Sequence, residues 1–348
     1  MGRRPPPPQE LPARGSLQVP LDRVHLPLPR QPLRHPHHRP CQGTHPAKGQ
    51  GKSVGGEIPF PTRDSNQVRP HQRQGNLPEN PRPANPMNQD GAIREDAGTD
   101  EWALRVELAA AYRVFATFGW THLIHTHITA SVPGEKDRYL INPYGLLWEE
   151  ITASSLVKVD AGGAIVEQGS TDCAINPAGF KIHSAIHTSE RAAEWVMHLH
   201  VPEVNAVANL KEGFIRGLSV YSMDVGGISY HDFEHATSSS SDVCARMVDD
   251  LGPVNKILLL PNHGAITLGD SVHEAFYLTH QLVEACKVQL LTLSCARSPS
   301  DFKVVDDQTV EETYRIVQDN YTGNEFGKLE WEAAKRKMET EQGVGYKE

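Results

Sequence analysis

Three histidines lie in sequence surroundings that suit a metal ion. His198 and His200 form an H-x-H pair at the end of the apolar run Trp195–Leu199. Successive side chains of an extended strand alternate between its two faces, so these two imidazoles point into one space. His263 directly follows a second apolar run, Ile257–Leu260, and precedes a glycine, which is the pattern of a buried strand that ends in a turn. If the two strands are neighbours, three imidazoles converge.

Such a set has two interpretations. Three neutral imidazoles with an open coordination position suit a divalent zinc, manganese or cobalt ion in a catalytic site, and zinc is the ion we expect first. The alternative is three half-buried histidines whose ring nitrogens bond to backbone groups. An H-x-H pair alone does not separate the two interpretations. The third histidine, at the end of a separate strand, favours the metal site.

The 348-residue chain divides by composition into a basic arm and an acidic remainder. Residues 1–90 hold 19 of the 26 prolines, with 13 Lys or Arg against 6 Asp or Glu, whereas the whole chain has 34 basic and 43 acidic residues. A segment of this kind buries too little apolar surface to offset its ordering entropy. We therefore predict a disordered Pro/Arg/His-rich arm at residues 1–90. The net charge of −9 gives no support to nucleic-acid binding.

Cysteine usage and hydropathy indicate where the protein resides. The five cysteines are widely spaced and contain no C-x-x-C motif, which fits a reducing compartment without disulfide bonds. No apolar run approaches membrane-spanning length, and the N-terminus has no apolar signal segment. The sequence therefore predicts a cytoplasmic protein that does not bind membranes.

Helical and strand patterns alternate irregularly after residue 100. Apolar residues from Leu104 to Phe115 recur at helical spacing, and Gly119 ends that helix. Asn176-Pro177 and Ser271 carry the signals of helix starts, and further helices are expected from Pro202 to about Leu210 and at Asp242–Leu251. The predicted strands are Ile124–Ala130, Tyr139–Ile141, Leu156–Val159, Ala164–Val166, Trp195–Leu199 and Ile257–Leu260.

This order of elements predicts an α/β fold in which helices cover a mixed sheet in three layers. The chain contains no G-x-G-x-x-G after a strand, no P-loop and no G-x-S-x-G, so nucleotide-binding and serine-hydrolase functions have no support. We place the folded domain at residues 91–300. Residues 301–348 are expected to form a C-terminal helical extension that packs on or beside it.

Several segments resemble the class II aldolase/adducin family, in order and without large gaps, over about residues 100–300. They include the H-x-H pair and the Asn262-His263-Gly264 turn. The resemblance implies a three-layer α/β/α sandwich around a central, largely antiparallel sheet. The remaining segments that carry it are Ile141–Leu147 (INPYGLL), Ile151–Val159 (ITASSLVKV), Ile175–Phe180 (INPAGF), His183–His187 (HSAIH), Glu274–Phe276 (EAF) and, after residue 300, Gly327–Trp331 (GKLEW).

The resemblance also implies the composition of the site. The family holds its metal with the H-x-H pair and the downstream histidine, which correspond here to His198, His200 and His263, in agreement with the spacing argument. Its enzymes act on small-molecule substrates, and they are commonly homotetramers with active sites at subunit borders. By the same correspondence, the substrate pocket is lined by His127, Asn142, Gly145 and Gly179.

Two departures from the family affect the chemistry. Its sugar-phosphate aldolases and epimerases carry a Glu upstream of the H-x-H as metal ligand and proton-transfer base, and Gly179 occupies that position here. Their phosphate pocket uses an Asn, a Thr-Gly turn and a Ser-Ser pair. The matching residues are His127, Tyr144-Gly145 and Pro177-Ala178. Most groups that would hold a phosphate dianion are missing, so we expect an unphosphorylated substrate.

The activity expected from these residues is that of a metal-dependent carbon–carbon lyase. A three-histidine metal ion with open positions chelates a hydroxy-ketone or hydroxy-acid through two oxygens and stabilises the enolate that forms. Aldol cleavage, epimerisation and decarboxylation all pass through such an intermediate. Decarboxylation is the one that needs no base first, so the loss of the Glu favours it.

Other side chains have to move the proton in place of the Glu. The family supplies a Tyr from the neighbouring subunit, and Tyr221 is our match for it. For Tyr221 and Tyr230 the alternative is ordinary packing with a hydrogen-bonded hydroxyl. The candidates for this role are His183, Tyr221, Tyr230 and His231.

A non-catalytic interaction protein is the alternative function. Ile175–His187 and Gly226–Asp232 resemble the adducin head domain especially closely, and adducins act with actin and spectrin through a Lys-rich tail. No polybasic run follows residue 300, which argues against cytoskeletal capping but not against an oligomer of heads. The three retained histidines favour the enzyme. In a third hypothesis, the prolines of the arm recruit a partner through polyproline-II contacts.

Overall fold

The structure is a computed structural model, and it describes residues 89–234, 240–320 and 325–348. Except for its last two residues, the arm predicted at residues 1–90 lies outside the described part of the chain. The strands are β1 (His127–Ser131), β2 (Arg138–Ile141), β3 (Val157–Asp160), β4 (Ile165–Glu167), β5 (Trp195–Leu199), β6 (Ile228–Tyr230), β7 (Ile257–Leu260) and β8 (Gly264–Gly269).

All of these strands belong to one sheet. Their order is β4-β3-β2-β1-β5-β8-β7-β6. Neighbouring strands pair antiparallel, except that β6 pairs with β7 in parallel. The sheet is therefore mixed and largely antiparallel, as predicted.

The helices that accompany the sheet range from one turn to 29 residues. None of those that the structure describes is both long and apolar enough to cross a membrane. Gly98 interrupts the first helix with a φ of 68°. The helices are α1 (Gln89–Thr117), α2 (Pro177–His187), α3 (Pro202–Ala208), α4 (Val220–Met223), α5 (Ser241–Leu251), α6 (Val272–Cys295), α7 (Asp307–Asn320) and α8 (Lys328–Gln342).

Helices cover both faces of the sheet, so the predicted three-layer α/β/α class is confirmed. Strand β5 shows how its residues divide between the faces. Trp195, Met197 and Leu199 lie in the apolar cluster that includes residues of α1, α3, α6 and α8. Val196 faces the other way and packs with residues of α2 and α5. His198 has the same parity along the strand as Val196, so it lies on the α2/α5 face.

The helix starts predicted from side-chain caps are found in the structure. Asn176 accepts a hydrogen bond from the N–H of Gly179 at 3.3 Å, which begins α2. Ser271 accepts from the N–H of Glu274 at 3.2 Å, which begins α6. The Glu274 carboxylate accepts from the N–H of Asp270 at 2.8 Å, one residue before the partner that a capping box would use.

The C-terminal helix packs on the first helix and on α6. Trp331 and Met338 of α8 are buried in the larger apolar cluster. Beyond the helix, the N–H groups of Ala153 and Ser154 each donate at 2.9 Å, to the carbonyls of Tyr346 and Glu348 respectively. These bonds tie residues 345–348 to the loop that precedes β3.

A buried ion-pair cluster joins α1 to the sheet. Arg105 is fully buried; it donates to Glu101 at 2.8 Å and to the carbonyl of Leu156 at 2.8 Å. Its remaining charged partner is Glu167 of β4. Lys158 of β3 pairs with the same two carboxylates. Because these charges are withdrawn from water, removing one partner leaves the others uncompensated.

The Arg105→Leu variant is expected to lower the free energy of unfolding by about 3 kcal/mol or more, because a buried carboxylate and a buried carbonyl lose their donor. Urea unfolding of the variant and of the wild type measures this difference. The matched control is Arg315→Leu, since Arg315 pairs with Asp319 while about two thirds of both side chains are exposed. Its cost is expected to be below about 1 kcal/mol. Equal costs for the two variants would contradict the role given to Arg105.

Candidate metal centre

The three histidines singled out in the sequence come together at one edge of the sheet. His198 lies in β5, His200 follows that strand, and His263 follows β7. Strands β5 and β7 both pair antiparallel with β8, so they run in the same direction and their carboxyl ends meet at one edge. One ring nitrogen from each histidine lies within 4.8 Å of the other two. The directions of the strands therefore bring the three imidazoles together, as the sequence predicted.

The spacing of the three rings fits a single divalent ion. Two nitrogens bound at about 2.1 Å to a tetrahedral zinc lie about 3.4 Å apart. Nε2 of His198 lies 2.9 Å from Nε2 of His200. The ring of His263 has its centroid 4.8 Å from the centroids of both other rings. Small rotations of the side chains therefore suffice to bring three nitrogens to ligand distance.

Burial keeps these imidazoles in the neutral form that a metal ion requires. It lowers the pKa of His200 to about 4, lowers the pKa of His263, and lowers the pKa of His198 well below its usual value. Nδ1–H of His198 donates to the carbonyl of Ala265 at 3.1 Å. The proton is thereby fixed on Nδ1, and Nε2 keeps its lone pair for a ligand bond.

A cavity of about 180 Å³ opens beside the three rings. A cavity of ~150 Å³ holds a molecule of the size of benzene, so this space suits a small organic substrate. Two carboxylates, Asp232 and Glu234, contribute to its lining, but no Lys, Arg, Ser or Thr does so among the described residues. The other polar side chains of the lining are Asn176, His125, His127, His198, His200, His231 and His263.

Comparison with known proteins identifies the family. Residues 106–290 match the family model described as Class II Aldolase and Adducin N-terminal domain. This chain belongs to the class II aldolase and adducin family. The resemblance inferred from the sequence motifs is therefore confirmed.

Relatives of this class II aldolase and adducin chain come from both groups. It is 42% identical to alpha-adducin of Rattus norvegicus over 224 residues, which are 64% of this chain and 30% of the adducin. The chain thus spans less than a third of the length of that relative. It is 39% identical over 257 residues to a Pseudomonas aeruginosa protein named after the class 2 aldolases, and the match covers 74% of this chain and 96% of that protein.

Solved structures share the fold. The aldolase II superfamily protein from Pseudomonas syringae superposes with a TM-score of 0.69 at 36% identity, covering 74% of this chain and all of that one. The L-fuculose 1-phosphate aldolase from Glaciozyma antarctica superposes with a TM-score of 0.61 at 25% identity, covering 72% of this chain and 93% of that one. The central sheet with helices on both faces is the class II aldolase architecture.

Gly179 and His127, the two positions at which we expect departures from the family pattern, lie in contact. A Cβ atom placed on Gly179 would lie 2.0 Å from Nε2 of His127, far inside any allowed contact distance. The imidazole of His127 therefore fills the space in which a side chain at position 179 would begin. A side chain at position 179 and the imidazole of His127 therefore exclude each other in this fold.

A chain of hydrogen bonds fixes the tautomer of His127. The carbonyl of Ala193 can only accept, so Nδ1–H of His187 donates to it at 2.7 Å, and the Thr129 hydroxyl donates to Nε2 of His187 at 2.7 Å. Nδ1–H of His183 then donates to Thr129 Oγ1 at 2.7 Å, and Nδ1–H of His127 donates to Nε2 of His183 at 2.9 Å. Nε2 of His127 is left with a lone pair. Burial lowers the pKa of His127 to about 3, so this ring is neutral at pH 7.

Other residues predicted for the site lie apart from this cavity within the single chain. His183 is fully buried and does not line the cavity; it contacts His127 and cannot itself touch a substrate there. Tyr221 lines a separate cavity with Phe276 and His280. The contribution of Tyr221 to the site of a neighbouring subunit stays a prediction.

The remaining predicted residues have structural partners. The hydroxyl of Tyr230 accepts a hydrogen bond from the N–H of Phe214 at 2.8 Å. Asn142 is buried and accepts from the hydroxyl of Tyr112 at 2.9 Å. Gly145 adopts a φ of 123° in the loop after β2. None of these three predicted residues lines the cavity beside the histidines.

Two histidines that sequence reasoning missed are found at the site. His125 lines the cavity, and Nδ1 of His122 lies 2.9 Å from Nδ1 of His200. Both precede β1, whose first residue His127 pairs with His198 of β5. The signal that could have found them is the run His122-Leu123-Ile124-His125-Thr126-His127, which places three histidines within six residues at the start of a strand.

The contact between Gly179 and His127 gives a prediction for a double-mutant cycle. Gly179→Ala is expected to lower the free energy of unfolding by about 1–3 kcal/mol because the new methyl group overlaps the imidazole. In the His127→Asn background the same substitution is expected to cost less, with a coupling of about 1 kcal/mol or more. Urea unfolding of the four proteins measures the coupling. Gly345→Ala is the control, since a Cβ there meets open space. Additive costs would contradict the contact.

Proposed function

We propose that this chain is a metal-dependent carbon–carbon lyase that acts on an unphosphorylated hydroxy-carbonyl or hydroxy-acid substrate. The observation that carries the proposal is the set of three neutral imidazoles, from His198, His200 and His263, at the wall of a cavity large enough for a small molecule. Side chains that only stabilise a fold have no need to aim three unprotonated nitrogens at one point. Zinc is the ion that we favour, and manganese and cobalt also suit this donor set.

His198, His200 and His263 would hold a divalent cation there, and the cation would supply an electron sink for a hydroxy-carbonyl or hydroxy-acid substrate. Backbone and burial together keep the three histidines ready to bind that cation. The carbonyl of Ala265 holds His198 in the tautomer that binds a cation. Burial lowers the pKa of His198 and His200, which favours the neutral imidazoles at pH 7.

The charge of the cavity supports an unphosphorylated substrate. A phosphate dianion is usually held by Lys or Arg side chains, hydroxyls or backbone N–H groups. The described lining contains neither Lys nor Arg. It includes the carboxylates of Asp232 and Glu234, which repel a phosphate dianion. A hydroxy-acid or hydroxy-ketone that is neutralised by the cation avoids this repulsion.

Among the lyase reactions, decarboxylation fits the absence of the Glu best. Gly179 carries no base, and His127 blocks the approach of a longer side chain from that position. Loss of carbon dioxide leaves an electron pair on the substrate without prior removal of a proton. Aldol cleavage and epimerisation both require a base from another part of the cavity.

A non-catalytic adducin-like head is the second candidate function. The observation that favours it is the 42% identity to rat alpha-adducin over 224 residues. Under this alternative the chain is an oligomeric interaction domain associated with the actin cytoskeleton. We expect homo-oligomers, and a tetramer first, under either function, because the family pattern places active sites at subunit borders.

The proposal predicts about one equivalent of zinc, manganese or cobalt per chain in the protein purified without added metal. A variant that combines His198→Ala with His200→Ala is expected to lose the metal, whereas His280→Gln, whose ring lines a different cavity, is expected to keep it. Elemental analysis of the purified full chain measures all three. The metal-loaded wild type is then expected to release carbon dioxide or an aldehyde from short hydroxy-acids and hydroxy-ketones.

Two results would contradict the proposal. A folded, metal-free wild-type oligomer would favour the adducin-like function. Efficient turnover of a sugar phosphate that survives His198→Ala would contradict both the metal dependence and the substrate class.

A further inference from the structure

The cavity beside the three histidines is also lined by a buried imidazole whose second nitrogen has no partner. His231 directly follows β6, and its N–H donates to the carbonyl of Leu259 at 3.0 Å, which extends the parallel pairing with β7. Only 5% of the residue is exposed. Its Nε2 is buried and makes no hydrogen bond within the described part of the chain. Since a buried polar atom without a partner is unfavourable, a ligand in the cavity is its natural partner.

A carboxylate orients this ring. Nδ1 of His231 lies 2.7 Å from Oδ2 of Asp250, near the end of α5. A carboxylate only accepts, so Nδ1 carries the proton, and the neutral ring has its lone pair on Nε2. The Asp side chain is about half exposed, which keeps its charge solvated. A histidine held by a carboxylate in this way is the arrangement that serves proton transfer in many enzymes.

A second carboxylate lies near Nε2 of the ring. Oε1 of Glu234 lies 3.8 Å from Nε2, beyond hydrogen-bond distance. Arg246 donates to Glu234 at 2.9 Å and lowers the pKa of that carboxyl, so Glu234 is an anion and cannot donate to Nε2. The neutral ring therefore offers its lone pair to a substrate. Once it is protonated, it lies between two carboxylates, Asp250 and Glu234.

We propose that His231 is the group that exchanges a proton with the substrate in this cavity and that Asp250 positions it. The inference rests on the proposed function, in which the substrate lies at the three histidines that line the same cavity. In the step, a C–H bond next to the substrate carbonyl breaks and an N–H bond forms at Nε2. The electron pair stays on the substrate as an enolate, and return of the proton from Nε2 reverses the step.

This assignment supplies the base that Gly179 does not provide. His231 lies at the carboxyl end of β6, while position 179 is in the first turn of α2, so the proton is moved from a different element of the fold. An ordinary packing contact between α5 and β6 would account for the Asp250 bond. It would not account for the buried, unpartnered Nε2 in the lining of the cavity that holds the three histidines.

Solvent exchange tests the inference directly. The zinc-loaded full chain is incubated with hydroxyacetone or dihydroxyacetone in deuterated buffer, and proton NMR follows the loss of the C–H signals next to the carbonyl. His231→Gln is expected to slow this exchange by about 100-fold or more while zinc content and the thermal midpoint remain at wild-type values. His280→Gln is the matched control and is expected to exchange at the wild-type rate.

Two further variants separate a chemical role from a structural one. Exchange by His231→Ala is expected to recover when free imidazole is added, which a packing defect would not do. Asp250→Asn is expected to reduce the exchange rate without changing the KM for the probe, because an amide that donates to Nδ1 places the ring proton on Nε2.

The outcomes distinguish the inference from the function on which it rests. If His231→Gln exchanges the probe protons as fast as the wild type does, the assignment of His231 is overturned and the lyase proposal stands. Wild-type protein that binds zinc but exchanges neither probe would also overturn the assignment of His231, and release of carbon dioxide from a hydroxy-acid by the same protein would leave the lyase proposal standing. Loss of exchange in His231→Gln with recovery by imidazole in His231→Ala supports both.

Discussion

Strands β5, β6 and β7 run in the same direction, and this shared direction decides where the polar side chains of the cavity lie. Strand β8 pairs antiparallel with both β5 and β7, and β6 pairs in parallel with β7. Their carboxyl ends therefore meet at one edge of the sheet. His198, His200, His263 and His231 all lie at or just beyond these ends. Reversal of the β6–β7 pairing would place His231 at the opposite edge of the sheet.

Desolvation then determines the chemistry of these side chains. Helices α2 and α5 cover the face of the sheet on which His198 lies, and burial depresses the pKa of the imidazoles in this region. An unprotonated imidazole binds a cation or accepts a proton, whereas an imidazolium ion does neither. The hydrogen bonds to Ala265 and from His127 to His183 select which nitrogen keeps its lone pair. The packing of the helices on the sheet is thus the cause of the neutral state of the histidines.

The parts of the fold that follow from local sequence could be predicted. The period of a strand placed His198 and His200 on one face, and the capping side chains Asn176 and Ser271 marked the starts of α2 and α6. Contacts between residues distant in sequence could not be predicted. The run of histidines at the start of β1 lies at the site only because β1 pairs with β5.

Contacts between residues distant in sequence also determine the parts of the site that the sequence did not predict. The bond between His231 and Asp250 depends on how α5 packs beside β6, and the contact of Gly179 with His127 depends on how α2 packs beside β1. Neither pairing has a local signal. The role expected for Tyr221 comes from a family pattern that involves two subunits. Within a single chain, Tyr221 lines a different cavity.

Anomalous X-ray diffraction at the zinc absorption edge, on crystals of the protein purified without added metal, tests the central claim most directly. The account predicts one strong anomalous peak at about 2.0–2.1 Å from Nε2 of His198 and from one ring nitrogen each of His200 and His263. Crystals that show no anomalous peak at these three rings would contradict it. A peak between the Nδ1 atoms of His122 and His200, which lie 2.9 Å apart, would also contradict it.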